Sequence, residues 1–509
     1  MAEPGVIQGG VAMDSNAQGG EVRQRGRRLI VVLLVVSAIF YVLGFVHLRA
    51  DFPNGSPWMD WSKMTDEGWY GGAAIHHFVQ GSWYLPGSFN PGVAMPVWPA
   101  MLGVWFSVTG VSMIAARSLT MVFYGLSLVL LYRIAWRARP GRMAAVVVLL
   151  TVVNPFCYAF NRIAVLEPVT VFWMMLALWL AGETKVEDWL RQVLLGVVIC
   201  LLVLTKVTGV VLVSAVFYLL WASWGWPRLF GRWIAALGLV AGTAAALWAA
   251  YMGLVVRPRY LADYRLLFSV NAYRVHLSIV PKMAWVVLRD GGWFNPVLFW
   301  VAVVVGVASV IWLRGLWRVP LFGAAVIAIV GHLGYIGYHT NFQPRYYEVI
   351  AMPLVLVIAL SYADGGRLRS LTTGMRWVVG IVVAVVGVRM AVQTVEYVVH
   401  PDYSFWVAAE GIGAIVRADG EEAPMLLSDS GDDITLWTGV PAVCERYSTA
   451  GLDGVLSKYR PGWYAAWPGW EDEAIAQVGQ RYKLNEVARY RVFDDPLRET
   501  LVLYKLTPR

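Results

Sequence analysis

Two adjacent carboxylates, Asp66 and Glu67, open the stretch Met64-Thr65-Asp66-Glu67-Gly68-Trp69-Tyr70. It runs on to His76-His77 and Gly81-Ser82-Trp83-Tyr84-Leu85-Pro86, so the acids stand in polar, aromatic-rich surroundings. A positioned carboxylate can take a proton from a hydroxyl, the work of a general base. If the segment is helical from Asp66, neighbouring side chains diverge by about 100°. Asp66, Tyr70, Ala73 and His77 then share one face and Glu67 points elsewhere. One acid can serve chemistry while the other is structural. The competing reading is an ordinary helix start, where negative charge in the first turn is favoured.

Four further places carry polar groups where apolar runs begin or end. Glu167-Pro168 follows Asn161-Arg162 and heads an apolar run, either as a plain helix start or as a second functional acid. Lys206, in Thr205-Lys206-Val207-Thr208-Gly209, interrupts two apolar runs. It reads as a snorkelling lysine or as a cation for a phosphate. Arg345, in Gln343-Pro344-Arg345-Tyr346-Tyr347-Glu348, can bind phosphate through two parallel bonds or anchor an interface beside Tyr346. The segment 257–294 holds Arg257, Arg259, Arg265, Arg274, Lys282 and Arg289 against only Asp263 and Asp290. It suits lipid phosphates or a solvated charged face. His76, His77, His332 and His339 show no zinc-type spacing. An oxygen-rich divalent-metal site from Asp66, Glu67 and Glu167 is conceivable by residue type.

These groups need a membrane to position them. Of 509 residues, 58% are hydrophobic and 15% charged, and the apolar residues come in long runs rather than amphipathic stripes. That describes a polytopic membrane protein. The net charge of +8 does not call for nucleic acid, because the basic residues sit mostly in short loops between apolar runs. Three scattered cysteines, Cys157, Cys200 and Cys444, make no disulfide framework.

Residues 1–28 are Gly-rich and aperiodic, expected as a disordered cytoplasmic tail. A signal anchor follows at 29–46. Further crossings are expected near 113–136, 143–158, 166–182, 192–205, 208–224, 233–256, 295–313, 319–338, 348–363 and 377–396. The proline-interrupted run at 93–110 reads as a re-entrant or interfacial helix. With the N-terminus cytoplasmic, Arg133/Arg137/Arg139/Arg142, Lys185/Arg191, Arg228/Arg232, Arg314/Arg318 and Arg367/Arg369/Arg376 all fall on the cytoplasmic side. The first outer loop at about 47–112, Glu167, Lys206 and Arg345 then share the outer side. That shared side tips Asp66 and Glu167 towards function.

The expected fold is an α-helical polytopic membrane protein of about eleven transmembrane helices over 29–396. A small extracytoplasmic α/β domain follows over 397–509. In it, strands are predicted at 424–428, 463–467, 487–493 and 500–504, and helices at 403–418, 451–459 and 471–481. Trp463, Tyr464, Trp467 and Trp470 read as domain core or as a sugar-stacking set.

In this order the pieces resemble the GT-C superfamily of integral membrane glycosyltransferases, in the branch of protein O-mannosyltransferases and lipid A aminoarabinose transferases. The resemblance lies in Thr65-Asp66-Glu67-Gly68-Trp69-Tyr70, Ala73-Ala74, Gly81-Ser82-Trp83, Pro86, Asn90 and the proline-interrupted run to Gly110. It continues through Ala115-Ala116-Arg117-Ser118-Leu119, Tyr132 to Arg137, Asn161-Arg162 to Glu167-Pro168, Thr205-Lys206, and Arg345-Tyr346-Tyr347 to Pro353. It covers roughly residues 29–363 and is most specific over about 60–137. Gln343-Pro344 stand where relatives often carry a histidine, with His339 nearby.

The resemblance implies a polyprenyl-phosphate-linked sugar donor at the outer leaflet of the inner or plasma membrane. It implies a base in the acidic pair and cations for the donor phosphate. The assignment expected from it is Asp66 as base, with Glu67 and Glu167 supporting. Lys206, Arg345 and Arg162 would hold phosphate, and Tyr70, His77 and Tyr346 would contact substrate. The acceptor is a lipid, glycan or protein hydroxyl. A flippase of lipid-linked sugars and a noncatalytic glycan-binding membrane protein are the rival classes. Paired transporter-like halves are not visible in the sequence.

Overall fold

The computed structural model describes the chain apart from residues 1–13, 52–59, 61, 63, 186, 225–229, 271–275, 341, 364–372, 421–423 and 494–497. The first helix, Asp14–Leu43, begins within the stretch expected to be a disordered tail. Once the apolar run nucleates a helix, propagation upstream is cheap, and no proline stops it between residues 14 and 28. Val31, Val32, Val35 and Ile39 project from this helix, each more than half exposed, as lipid-facing residues do.

Every apolar run becomes a helix. Among the described residues, seven are long and apolar enough to cross a membrane, or eight with one bent pair counted as a span. The eleven expected crossings are not all of spanning length. Trp189–Thr205, Gly209–Trp224 and Pro296–Ile311 have only 17, 16 and 16 residues. That gives about 25 Å of helix against a hydrocarbon core of about 30 Å. The run expected as one crossing at 143–158 is broken into Arg142–Val152 and Pro155–Asn161, which meet at 65°. Asn154 causes the break. Its side chain accepts the Phe156 N–H at 3.0 Å, and Pro155 fills the first turn.

The proline-rich run forms the 13-residue helix Val97–Thr109. The basic segment 257–294 is largely helical among its described residues. Helix Phe230–Tyr251 runs through a π-helical stretch, Met252–Tyr260, into Leu261–Val270, and Val280–Phe294 follows. Pro258 lacks the N–H for regular bonding, which favours the local π register. Arg228, Arg274, Arg367 and Arg369 lie outside the described residues.

The C-terminal domain is a five-stranded sheet in the order β2-β1-β3-β5-β4. Its strands are β1 Leu426–Leu427, β2 Ala442–Val443, β3 Trp463–Ala466, β4 Tyr482–Arg491 and β5 Thr500–Pro508. β1 is parallel to β2 and β3, and β5 is antiparallel to β3 and β4. Alternation sorts the side chains. Leu426, Ala442, Trp463 and Ala465 pack on one face with Ile412 and Ile434, from helices Ser404–Ala418 and Gly431–Thr438. Leu427, Val443, Tyr464 and Ala466 pack on the other with Leu452, Val455 and Val478, from Gly451–Tyr459 and Asp472–Arg481. Sequence periodicity missed β2 and Gly431–Thr438, because two strand residues and eight helical ones are too short to show a period.

Helix Asp66–Gln80 is the hinge pin between bundle and domain. A methyl group on Gly68 would meet the Asp433 backbone nitrogen at 2.4 Å. The Gly68 N–H instead donates to Asp433 at 3.2 Å. His76 bonds Asp432 at 2.8 Å, and Gln80 donates to the Ala442 carbonyl at 3.0 Å.

Candidate active site

Four chain turns bring the polar groups to one buried place. Asp66 and Glu67 start helix Asp66–Gln80, and Glu167 sits in the first turn of Leu166–Glu183. Lys206 lies in the break between Trp189–Thr205 and Gly209–Trp224. Arg345 lies in the 3₁₀ turn Pro344–Tyr347, ahead of Glu348–Ala363. The turn that carries Arg345 follows a helix end that the backbone enforces. Thr340 terminates Pro320–His339 in the left-handed conformation at φ 55°, and Pro344 then restarts the chain.

Arg345 is the centre. Its Nη2 lies 2.6 Å from Asp66 Oδ2, and its Nε lies 3.5 Å from Glu167 Oε1. The approach to Asp66 is off the direction of a good hydrogen bond, so charge rather than alignment holds it. Nη1 pairs with Asp60, and the Arg345 backbone N–H donates to Asp60 Oδ2 at 3.0 Å. Lys206 Nζ pairs with Glu167 and stands 4.2 Å above the Tyr346 ring. Tyr346 also receives the Arg345 guanidinium at 5.0 Å. Three carboxylates therefore face two cations, all with side chains 8% exposed or less. Burial pushes the Asp66 carboxyl above the usual range. Arg345 pulls it back, while Asp60 and Glu167 push it up again. Tyr70, one turn along from Asp66, stays a neutral phenol for the same reasons, burial first and Asp66 second.

Glu67 faces away and is fully engaged. Arg117 binds it through two bonds, Nε to Oε1 at 2.8 Å and Nη2 to Oε2 at 2.6 Å. Glu67 Oε1 also accepts the Ala164 N–H at 2.7 Å. Arg117 Nη1 donates to the Leu48 and Ala50 carbonyls at 2.8 and 2.6 Å, and its guanidinium stacks on Trp437 at 5.6 Å. This joint ties helix Asp66–Gln80, helix Met113–Ala138, the turn before Leu166–Glu183 and the C-terminal domain together.

Two expected contacts do not join the centre. Arg162 stacks on Tyr158 at 4.9 Å and donates to the Val46 carbonyl at 3.0 Å, so its donors are spent on the backbone after the first helix. His77 is exposed and stacks on Trp83 at 4.9 Å. It shares the Asp66 face but lies three turns further along the helix. The three-carboxylate metal set does not assemble, since both Glu67 oxygens serve Arg117 and Ala164. Among the described residues no group of three or more His, Cys, Asp or Glu side chains is arranged to hold a metal. Asp60 is the residue that sequence reading missed. A lone aspartate in an aperiodic loop looks solvated. The arginine at the opposite boundary, which needed a buried partner, was the available signal.

Residues 91–251 match the family model of dolichyl-phosphate-mannose-protein mannosyltransferases. ArnT from Cupriavidus metallidurans, solved bound to undecaprenyl phosphate, superposes with a TM-score of 0.61 at 15% identity. The match covers 93% of this chain and 97% of that one. The chain has the GT-C fold. The Archaeoglobus fulgidus oligosaccharyltransferase, solved with zinc and sulfate, gives this GT-C chain a TM-score of 0.53 at 13% identity, over 93% of it and 75% of the archaeal chain. No curated protein sequence matches it. Together the family model and the shared fold support a GT-C glycosyltransferase in the membrane, in keeping with the resemblance read from the motifs.

Proposed function

We propose that this chain is an inverting glycosyltransferase. It moves a sugar from a polyprenyl-phosphate donor to an acceptor hydroxyl on the outer face of the membrane. The observation that carries this reading is the Asp66–Arg345 pair, a raised carboxyl held directly against a buried guanidinium. The undecaprenyl phosphate bound to ArnT supports the donor class.

Asp66 takes the proton of the acceptor hydroxyl, and the oxygen attacks the anomeric carbon as the bond to the polyprenyl phosphate breaks. Protonation neutralises Asp66 and ends its claim on Arg345. The guanidinium is then free to follow the charge that grows on the leaving phosphate. Cations that gain a partner only as the bond breaks stabilise the transition state more than the ground state. Glu167 and Asp60 keep Lys206 and Arg345 in place throughout, and Tyr70 and Tyr346 line the approach. Glu67 is structural in this scheme. The basic loop clusters support a cytoplasmic N-terminus and an outer C-terminal domain.

The test is a screen of synthetic polyprenyl-phosphate sugars with purified protein, read as release of polyprenyl phosphate, with Asp66→Asn alongside. Release that depends on Asp66 supports the reading. Vesicle-to-vesicle movement of an intact donor, without bond cleavage, would replace it with a flippase.

A further inference from the structure

The C-terminal domain has a reversal of strand order that the transferase reading leaves without a task. In its sheet β1 lies between β2 and β3 and runs parallel to both. The connection from β1 to β2 crosses one face through Gly431–Thr438. The connection from β2 to β3 crosses the other through Gly451–Tyr459. Chain connections that part to opposite faces leave an opening beyond the carboxyl ends of β1 and β3, where open α/β sheets bind ligands. Asp429 follows β1, Arg446 and Tyr447 follow β2, and Trp470 follows β3.

That opening points at the candidate active site. Trp69 lies one turn along the helix from Asp66 and donates its indole N–H to the Asp429 carbonyl at 2.9 Å. Trp69, Phe89 and Tyr447 form a triangle of rings with centroids 5.1, 5.3 and 5.8 Å apart. Tyr447 and Asp429 both feel the charge of Asp66.

The carboxylate of Asp429, 4% exposed, meets the Arg446 Nε at 3.5 Å and the Cys444 thiol at 3.7 Å, and the charge of buried Arg498, which lies 4.0 Å over the Trp470 ring, also reaches it. Buried carboxylates ordinarily have closer donors. Arg446 is 28% exposed, and its Nη2 reaches the Trp470 carbonyl at a long 3.3 Å. Tyr447 holds φ 52°, a left-handed backbone that a bulky residue adopts only when its surroundings enforce it. A carboxylate and a guanidinium beside aromatic faces suit vicinal hydroxyls and the C–H face of a pyranose ring. A peptide strand has less to hold. The β2 edge is two residues long, and the β4 edge carries Lys483, Glu486, Arg489 and Arg491.

We propose that Asp429, Arg446 and Tyr447, with Trp69 and Phe89, form the acceptor subsite, and that the acceptor is a carbohydrate. The proposal rests on the transferase reading for the word acceptor, but the binding site itself can be tested without the reaction. The probes are octyl α-D-mannopyranoside and octyl β-D-glucopyranoside below their micelle concentrations, titrated by calorimetry into full-length protein in lipid nanodiscs. Tyr447→Gly is the informative variant, because glycine accepts the left-handed backbone while the ring is removed. Saturable binding of a glycoside is expected, weakened about tenfold in a Tyr447→Gly protein that keeps a cooperative melting transition. Arg446→Ala should weaken it as well. Equal binding by wild type and both variants, no glycoside binding by wild type, or binding only of a Ser/Thr hexapeptide would each overturn the proposal. Glycoside binding that falls in the variants, from a protein that cleaves no donor, would uphold the subsite while the transferase reading fails.

Discussion

Asp66 Oδ2 and Arg345 Nη2 stand 2.6 Å apart in a buried ion pair, joining helix Asp66–Gln80 to a turn late in the bundle. The proposed base and the proposed cation for the leaving group are thus one charge-coupled unit. Asp66→Asn keeps the shape and leaves Arg345 its contacts with Asp60 and Glu167. We expect a folded, inserted protein whose transfer rate falls by about 10²–10⁴-fold. Near-normal release of polyprenyl phosphate from this variant would remove Asp66 as base.

Asp60 grips Arg345 at two points, the backbone N–H and Nη1, so it sets where the guanidinium sits. Arg345→Lys cannot reproduce a planar fork that reaches Asp60, Asp66 and Glu167 together. We expect its kcat and kcat/KM for the donor to fall together by about tenfold or more, with Asp60→Asn shifting kcat in the same direction but less. Steady-state kinetics over donor concentration decides this. An unchanged kcat in Arg345→Lys would sink the phosphate role.

Glu67 and Arg117 differ in kind, since their side chains are taken up by two bonds to each other and by the Ala164, Leu48 and Ala50 backbone. Arg117→Met leaves a buried carboxylate unpaired and should cost about 3–5 kcal/mol. Removing both charges, as in Glu67→Leu with Arg117→Met, should recover most of that loss. Melting temperatures in detergent would show it. A double variant no more stable than the single one would refute the view that the unpaired charge is the cost.

Much of this was legible before the structure. Long apolar runs announce membrane helices because lipid requires each backbone group to be bonded within its own helix. Helical geometry alone separates Asp66 from Glu67, and their different partners are where that separation leads. What stayed hidden depends on long-range pairing. Nothing local in the sequence tells that Asp60 meets Arg345, or that Asp432 and Asp433 clasp His76 and Gly68. His77 lies apart from the Asp66–Arg345 cluster because sharing a helical face says nothing of distance along the axis. The break at Asn154-Pro155 was written in a turn-forming dipeptide, overridden by the hydropathy around it.

Gly68 tests the docking of the C-terminal domain. A Cβ there would lie 2.4 Å from the Asp433 nitrogen and 2.5 Å from the Asp432 carbonyl carbon, both backbone atoms that cannot swing aside. Gly68→Ala should therefore push helix Gly431–Thr438 off its seat, at about 1–3 kcal/mol. Faster limited proteolysis between bundle and domain is the expected sign. Wild-type protease resistance together with a wild-type melting temperature would mean that the interface is not this tight.

The acid limb of the pH–rate profile reports on Asp66. Burial, with Asp60 and Glu167 adding to it, holds its carboxyl above the ordinary aspartate value of about 3.9, despite the pull of Arg345. The base works only when deprotonated, so kcat/KM should climb with pH through a midpoint above that value. Stability carries the opposite sign. A carboxyl raised on folding stabilises fully below its unfolded pKa, and that contribution is lost as pH rises through the folded pKa. Asp66→Asn does not titrate, so its melting temperature should gain on the wild type as pH rises from 4 towards neutrality. The residual rate of the variant should also lack the Asp66 limb. A limb that persists unchanged in Asp66→Asn would assign the titration to another group, with Asp429 the next to substitute.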